Sequence, residues 1–276
     1  MDTRSTFKPG DTVVVGFPFD AHSSFMRGPA KGPTALVEAY HSPSANLFTE
    51  KGLDLSLVAG LHFIGNANLG DNYWQIERTI DQLLAQEVKV ISLGGDHSIT
   101  YPIMKAYAKR YPDLHILQTD AHGDLYPDFE GNPYSHACPF ARIMEDGLCK
   151  GLLQVGVRSL STIQKGMAQE YGVEIIEMKD WASWKGPLPL SLTNPLYLSL
   201  DLDVLDPAFA PGVSHHEPGG MHTRELITLI QELPMPLIGA DIVELNPDRD
   251  LNGITAMVAA KLLREILHNM QAENVS

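Results

Sequence analysis

Seven short runs of the chain are apolar at nearly every position: Thr12 to Gly16, Val88 to Leu93, Leu114 to Thr119, Leu152 to Val157, Val173 to Met178, Leu196 to Leu202 and Leu237 to Val243. A strand with one face in water alternates apolar and polar residues. A strand buried on both faces need not, and such runs belong to parallel sheets covered by helices on each side. Segments of helical period lie between them. In Trp74 to Glu87, residues Ile76, Ile80, Leu83 and Leu84 share one face; near the C-terminus Ile254, Met257, Val258, Leu262 and Ile266 do the same. Strand and helix alternate almost throughout, which predicts α/β architecture built from right-handed βαβ units around a mostly parallel sheet. No internal repeat interrupts the pattern. The stretch Trp181 to Pro195, with three prolines after two tryptophans, reads as a surface connection within one domain spanning 1–276.

A chain of 276 residues buries roughly three quarters of its unfolded surface, so it needs neither disulfide nor structural metal to fold. A metal held here therefore serves chemistry. The 34 acidic against 20 basic residues give a net charge of −14, which argues against a nucleic-acid partner and is compatible with a small cationic substrate. Two unpatterned cysteines, Cys138 and Cys149, and an N-terminus without a long apolar core fit free thiols in a reducing cytoplasm. No apolar run is long enough for a membrane helix, so no membrane partner is expected.

In an open parallel sheet, ligands bind beyond the carboxyl ends of the strands. Three such ends concentrate metal-capable side chains: Gly94-Gly95-Asp96-His97-Ser98, Asp120-Ala121-His122-Gly123-Asp124 and Asp201-Leu202-Asp203. Asp120, His122 and Asp124 alternate, as do Asp201 and Asp203, so extended backbone would aim each set to one side. A lone DxD reads as readily as a turn, and two glycines before a helix suggest a phosphate loop. Neither GxxxxGK[ST] nor a strand-end GxGxxG is present, however. Four carboxylates gathered together repel unless protons or cations intervene. Four carboxylates and two imidazoles suit two ions about 3.5–4 Å apart that share bridging aspartates. Oxygen-rich ligation with one imidazole per ion favours manganese, while cobalt and nickel suit the same donors.

With GGDHS, DAHGD and SLDLDVLDP in this order, the chain resembles the ureohydrolase family of arginases and agmatinases, over nearly its whole length from Val13. Segments such as Tyr134-Ser135-His136-Ala137 and DPAFAPGVSHHEPGG, from Asp206 to Gly220, are most similar to plant-type arginases and their bacterial relatives. The resemblance implies a three-layer α/β/α fold and a trimeric or hexameric homo-oligomer. It implies two Mn2+ ions, one held by His97, Asp120, Asp124 and Asp201, the other by His122, Asp120, Asp201 and Asp203. It also implies that Asp124 orients the attacking water, Glu244 binds the guanidinium and His136 shuttles the proton to the leaving amine. Asn132 and His215 are candidate contacts to the substrate tail, with Asp206 and Glu217 fixing the loop from Pro207 to Gly220. The implied reaction is hydrolysis of a guanidino C–N bond, with L-arginine or agmatine as substrate. Guanidinobutyrate, guanidine and formiminoglutamate stay open, as do a non-catalytic family member and a single-zinc deacetylase-like enzyme.

Overall fold

The computed structural model describes residues 6–70, 72–181, 183, 188 and 195–271. In chain order the elements are β1 (Thr12–Gly16), α1 (Gly32–Tyr40), β2 (Leu61–Asn66), α2 (Gln75–Leu84), β3 (Lys89–Leu93), α3 (Thr100–Arg110), β4 (His115–Thr119) and α4 (Pro139–Glu145). They continue with β5 (Gly151–Val157), α5 (Thr162–Tyr171), β6 (Glu174–Glu177), α6 (Met178–Trp181), β7 (Leu196–Asp201), α7 (Thr223–Gln231), β8 (Leu237–Val243) and α8 (Ile254–Gln271).

Among the described residues the strands form one eight-stranded sheet in the order β2-β1-β3-β8-β7-β4-β5-β6. Every neighbouring pair is parallel, so the sheet is fully rather than mostly parallel. All seven expected strands are present, within a residue or so of their expected ends. β2 is the one the sequence did not announce. It lies at the edge, its His62 and Asn66 interrupt the apolar run, and it is only partly buried.

The side chains explain the apolar runs. Val13 and Val15 of β1 pack with Ile76 and Ile80 of α2 and with Ile103 and Tyr107 of α3. Val14, between them, belongs to the core on the opposite face, with Leu36 of α1, Ile230 of α7 and Leu263 of α8. Both pleats are dry, so both need apolar side chains, each contributing about 1.5–3 kcal/mol on burial. Three layers result, helix on sheet on helix.

The expected face of α8 is corrected by the structure. Leu262 and Ile266 are buried, but Ile254 is 46% exposed and Met257 and Val258 are only partly covered. Ala256, Ala259, Ala260, Leu263, Leu267 and Met270 complete the buried face instead. Small residues let α8 approach α1 and the sheet closely, an advantage that a reading weighted toward large side chains misses.

The connection expected over residues 181–195 lies for the most part outside the described residues. Both cysteines are free thiols, Cys138 buried and Cys149 partly so. No helix among the described residues is long and apolar enough to cross a membrane.

Candidate metal centre

Strand order decides what can meet. The four central strands β3, β8, β7 and β4 are consecutive neighbours, and their carboxyl ends lead into His97, Glu244, Asp201 and Asp120 respectively. Residues more than a hundred positions apart are thereby brought to one sheet edge.

The aspartates converge through turns rather than through extended strand. β4 ends at Thr119, so Asp120 to Asp124 form a loop, and Asp124 adopts a left-handed backbone with φ +49°. β7 ends at Asp201, and Asp203 sits in the short 3-10 turn that follows. One oxygen of each capping aspartate accepts from a backbone N–H. Asp120 Oδ1 takes that of His122 (2.6 Å), Asp201 Oδ1 that of Asp203 (2.8 Å) and Asp203 Oδ1 that of Ala121 (3.0 Å). Such bonds make these turns at strand ends. They leave Oδ2 of each aspartate turned to the centre, that of Asp120 also accepting from Gln118 Nε2 (2.7 Å).

His97 Nδ1 lies 3.1, 3.1 and 3.2 Å from Oδ2 of Asp120, Asp124 and Asp201. His122 Nδ1 lies 3.0 Å from Asp203 Oδ2 and 3.5 Å from Asp120 Oδ1. Two overlapping donor groups follow, His97-Asp120-Asp201 and Asp120-His122-Asp203, with Asp120 common to both. All six residues expected to form the centre are brought together.

These donors fit divalent cations. Ser199 Oγ donates to Asp241 Oδ1 (2.7 Å) and so accepts from His97 Nε2–H (3.0 Å). Nδ1 is then the ring nitrogen that is buried facing three carboxylates, which favour a proton there in the metal-free chain. A lone pair aimed at anions is repulsive unless a cation or a proton lies between them. The titration tendencies carry the same message. Burial, then the Asp120 charge, pushes Asp124 up to about 6. Burial with Asp203 and Asp120 holds Asp201 well above the carboxylate range. Burial opposes a charge on His122, but Asp203 and Asp120 still lift it to about 12.

Metal must therefore compete with protons, which gives a pH prediction. Below about pH 6 Asp124 carries a proton that an incoming cation must expel. Apparent manganese affinity should fall as pH drops through 6, by up to about tenfold per unit for each proton released. Titration calorimetry between pH 5 and 7.5 in two buffers of different ionisation enthalpy would read both quantities; affinity independent of pH would refute the assignment. For the metal-free chain the same shift acts in the opposite sense. A carboxyl that binds its proton more tightly folded than unfolded adds stability at low pH, and that contribution is lost as pH rises through about 6.

Glu244 and His136 adjoin the centre. Glu244 is buried, has φ +64°, and its Oε1 accepts from His97 N–H (2.9 Å) and lies 2.8 Å from His136 Nδ1. Its Oε2 has no partner among the described residues. On the far side of the ring, His136 Nε2 faces Ser24 Oγ (2.8 Å) and Ser24 N–H (3.2 Å). Two influences meet on this histidine. Burial lowers its pKa, but the Glu244 charge lifts it to about 9, while the Ser24 amide favours a lone pair on Nε2.

A cavity of about 200 Å³ is lined by Ser24, His122, Asp124, His136, His215 and Glu244, among others. His215 stands at its mouth, its ring 5.1 Å from that of His136. Asn132 does not line the cavity. Its Oδ1 accepts from Tyr134 N–H (3.0 Å) within a local turn. Asp206 pins its loop by accepting from Ala208, Gly219 and Gly220 N–H. Glu217 is held through its backbone carbonyl by Arg158. Ser24, in the loop after β1, carries no sequence signal of its own, because that strand end has no metal-type cluster. Asp96, its signal, was in view: its Oδ2 accepts from His22 N–H (3.0 Å) and Ser23 Oγ (3.2 Å), tying that loop to the site. Gly95 permits the contact, since a Cβ there would lie 1.8 Å from Phe19 O. Its use is close packing of backbone, not a phosphate cradle.

The profile of the arginase family matches residues 10–268. A mitochondrial arginase of Medicago truncatula is 40% identical over 275 residues, covering 93% of this chain and 81% of that protein. An agmatinase of Halalkalibacterium halodurans is 33% identical over 273 residues, with 96% and 94% covered. The solved Medicago truncatula arginase superimposes with a TM-score of 0.86 at 38% identity, covering 95% of this chain and 87% of that one. Sheet order, donor geometry and sequence thus lead to one conclusion: the chain belongs to the arginase family.

Proposed function

We propose that the protein is a binuclear manganese ureohydrolase that converts a guanidino compound and water into urea and an amine. His97, Asp120, Asp124 and Asp201 would hold one ion; His122, Asp120, Asp201 and Asp203 would hold the other. The observation that carries this reading is the buried Nδ1 of His97 facing the Oδ2 atoms of three carboxylates at 3.1–3.2 Å. When bound, the ions supply Lewis acidity and bring the pKa of a water from about 15.7 toward neutrality.

The protein's own groups account for the rest. Glu244 offers the open Oε2 to the planar guanidinium, a charge-assisted contact in a dry site. Of the four aspartates, Asp124 alone has no backbone N–H on its carboxylate among the described residues, so it is free to accept from the attacking water and aim its lone pair. The leaving nitrogen must gain a proton before the C–N bond breaks. His136, beside Glu244, is suited to supply it. Guanidinium and water give urea and an alkylammonium, so charge balances without another reactant.

His136→Ala is expected to retain both metals and lower kcat by about 10²–10⁴-fold. Metal analysis beside steady-state urea release checks this, and unchanged kcat would remove His136 from the mechanism.

Arginine and agmatine are the substrates named for the relatives above and are the two we propose. The same assay with arginine, agmatine, 4-guanidinobutyrate and guanidine, on manganese-, cobalt- and nickel-loaded protein, tests substrate and metal together. One zinc per chain, or no urea from any guanidine, would overturn the proposal. A single domain over 1–276, a homo-oligomer of three or six chains and a cytoplasmic setting complete it. Free Cys138 and Cys149 support the reducing compartment.

A further inference from the structure

The chemistry above reads only the guanidino end of a substrate. Beyond it the inner cavity opens into an outer chamber of about 570 Å³, and the two share Ser24, His122, Phe129 and His215 as walls. A substrate tail must lie in this chamber. Its other lining residues include Glu130, His216, Glu217 and Arg249.

Arg249 is the arginine that lines this chamber, and like Arg78, Arg158 and Arg264 it differs from the ion-paired arginines. Arg27, Arg110, Arg142 and Arg224 all pair with carboxylates. Arg249 forms no ion pair among the described residues. Its Nη1 approaches Met26 Sδ (3.0 Å) and its Nη2 lies 3.1 Å from His216 Nδ1, neither of them a carboxylate. Yet it is flanked in sequence by two acids. Asp248 is turned to Lys31 Nζ (2.7 Å), and Asp250 accepts from Thr255 and Ala256 N–H (both 2.9 Å) at the start of α8. The loop is anchored as well: Arg249 N–H donates to Asn246 O (3.1 Å), and Asn246 N–H to Gly212 O (2.7 Å). A guanidinium with five donors is thus held at the chamber wall without a carboxylate paired to it among the described residues. It lies on the same short loop as Glu244.

The geometry points to Arg249 as the residue that selects the substrate by its tail, through an ion pair with a carboxylate at the end remote from the guanidine. Guanidino carboxylates are then preferred over guanidino amines. Glu130 and Glu217 on the same chamber complement an ammonium, so the zwitterionic end of an α-amino acid suits the lining best. The ammonium of agmatine could meet these glutamates, but it would leave Arg249 without a carboxylate. This inference rests on the ureohydrolase reading.

The test uses the full manganese-loaded chain and measures kcat and KM for L-arginine, 4-guanidinobutyrate and agmatine, with thermal melts to verify folding. Wild-type kcat/KM for arginine should exceed that for agmatine at least about tenfold. Arg249→Met should raise KM for both carboxylates about ten- to a hundredfold, the usual range for losing a charged hydrogen bond, and improve agmatine a few-fold. Arg249→Lys should recover much of the loss, and Arg249→Glu should reverse the preference. A wild-type preference for agmatine, or an Arg249→Met loss equal for all three compounds, overturns the inference while leaving the hydrolytic reading intact. Urea from none of the three would bring down both.

Discussion

Asp120→Ala is expected to release both metal ions and cut urea formation by on the order of 10⁴-fold or more. Asp120 belongs to both donor groups and is fully buried, so no solvent or neighbouring side chain replaces it. The loss should be separable from misfolding. Removing one of four crowded carboxylates relieves repulsion in the metal-free protein, while Gln118 Nε2 and His122 N–H each lose an acceptor. These effects oppose each other, and the variant should fold. What should vanish is its response to metal. A cation at about a hundred times its Kd adds about 2.7 kcal/mol per site to the wild type, and the variant should gain almost none. Melting with and without manganese, with metal analysis and a urea assay, reads all three consequences. Near-normal turnover or an undiminished manganese shift would show that Asp120 does not join two metals.

Glu244→Gln should leave both metals in place and lower kcat/KM by about 10²–10³-fold, with kcat and KM both affected. The substitution preserves shape but removes a charge that would face a cation out of water. Breaking such a pair typically costs about 3–5 kcal/mol. It also places an amide NH2 where Oε1 met two donors, or where the guanidinium would donate. Either way, two donors oppose each other. Because Glu244 also accepts from His97 N–H, metal content is the control that separates substrate binding from damage to the centre. An unchanged rate would exclude Glu244 from guanidinium recognition.

The parts of this molecule that were readable in sequence are those where one physical demand dominates. A strand dry on both faces has to be apolar throughout, so the six inner strands showed plainly while the half-wet edge strand β2 did not; the other edge strand, β6, showed through Val173, Ile175, Ile176 and Met178. Six donors crowded at three strand ends leave few explanations, and the structure gathers all six. Their route together was less readable. Alternation suggested extended backbone, whereas side-chain caps on His122 and Asp203 N–H make turns. Contacts between distant loops left the least trace. Nothing local to Ser24 reports that it meets His136 112 positions later. Likewise, the amide of Asn132 looks like a ligand donor in sequence and serves a turn in the structure.

The position of β8 between β3 and β7 has a consequence for how the protein comes into being. Until that strand is laid in, β2-β1-β3 and β7-β4-β5-β6 are two separate ribbons, each with a bare inner rim able to zip onto a stranger. On a ribosome, β8 emerges after every other described strand, so the rim of β3 stays bare from an early stage of synthesis and that of β7 from a late one, and the chain is most in need of a chaperone before β8 arrives. Glu244 arrives with the closing strand, which makes competence for guanidinium binding a late event in the birth of each molecule.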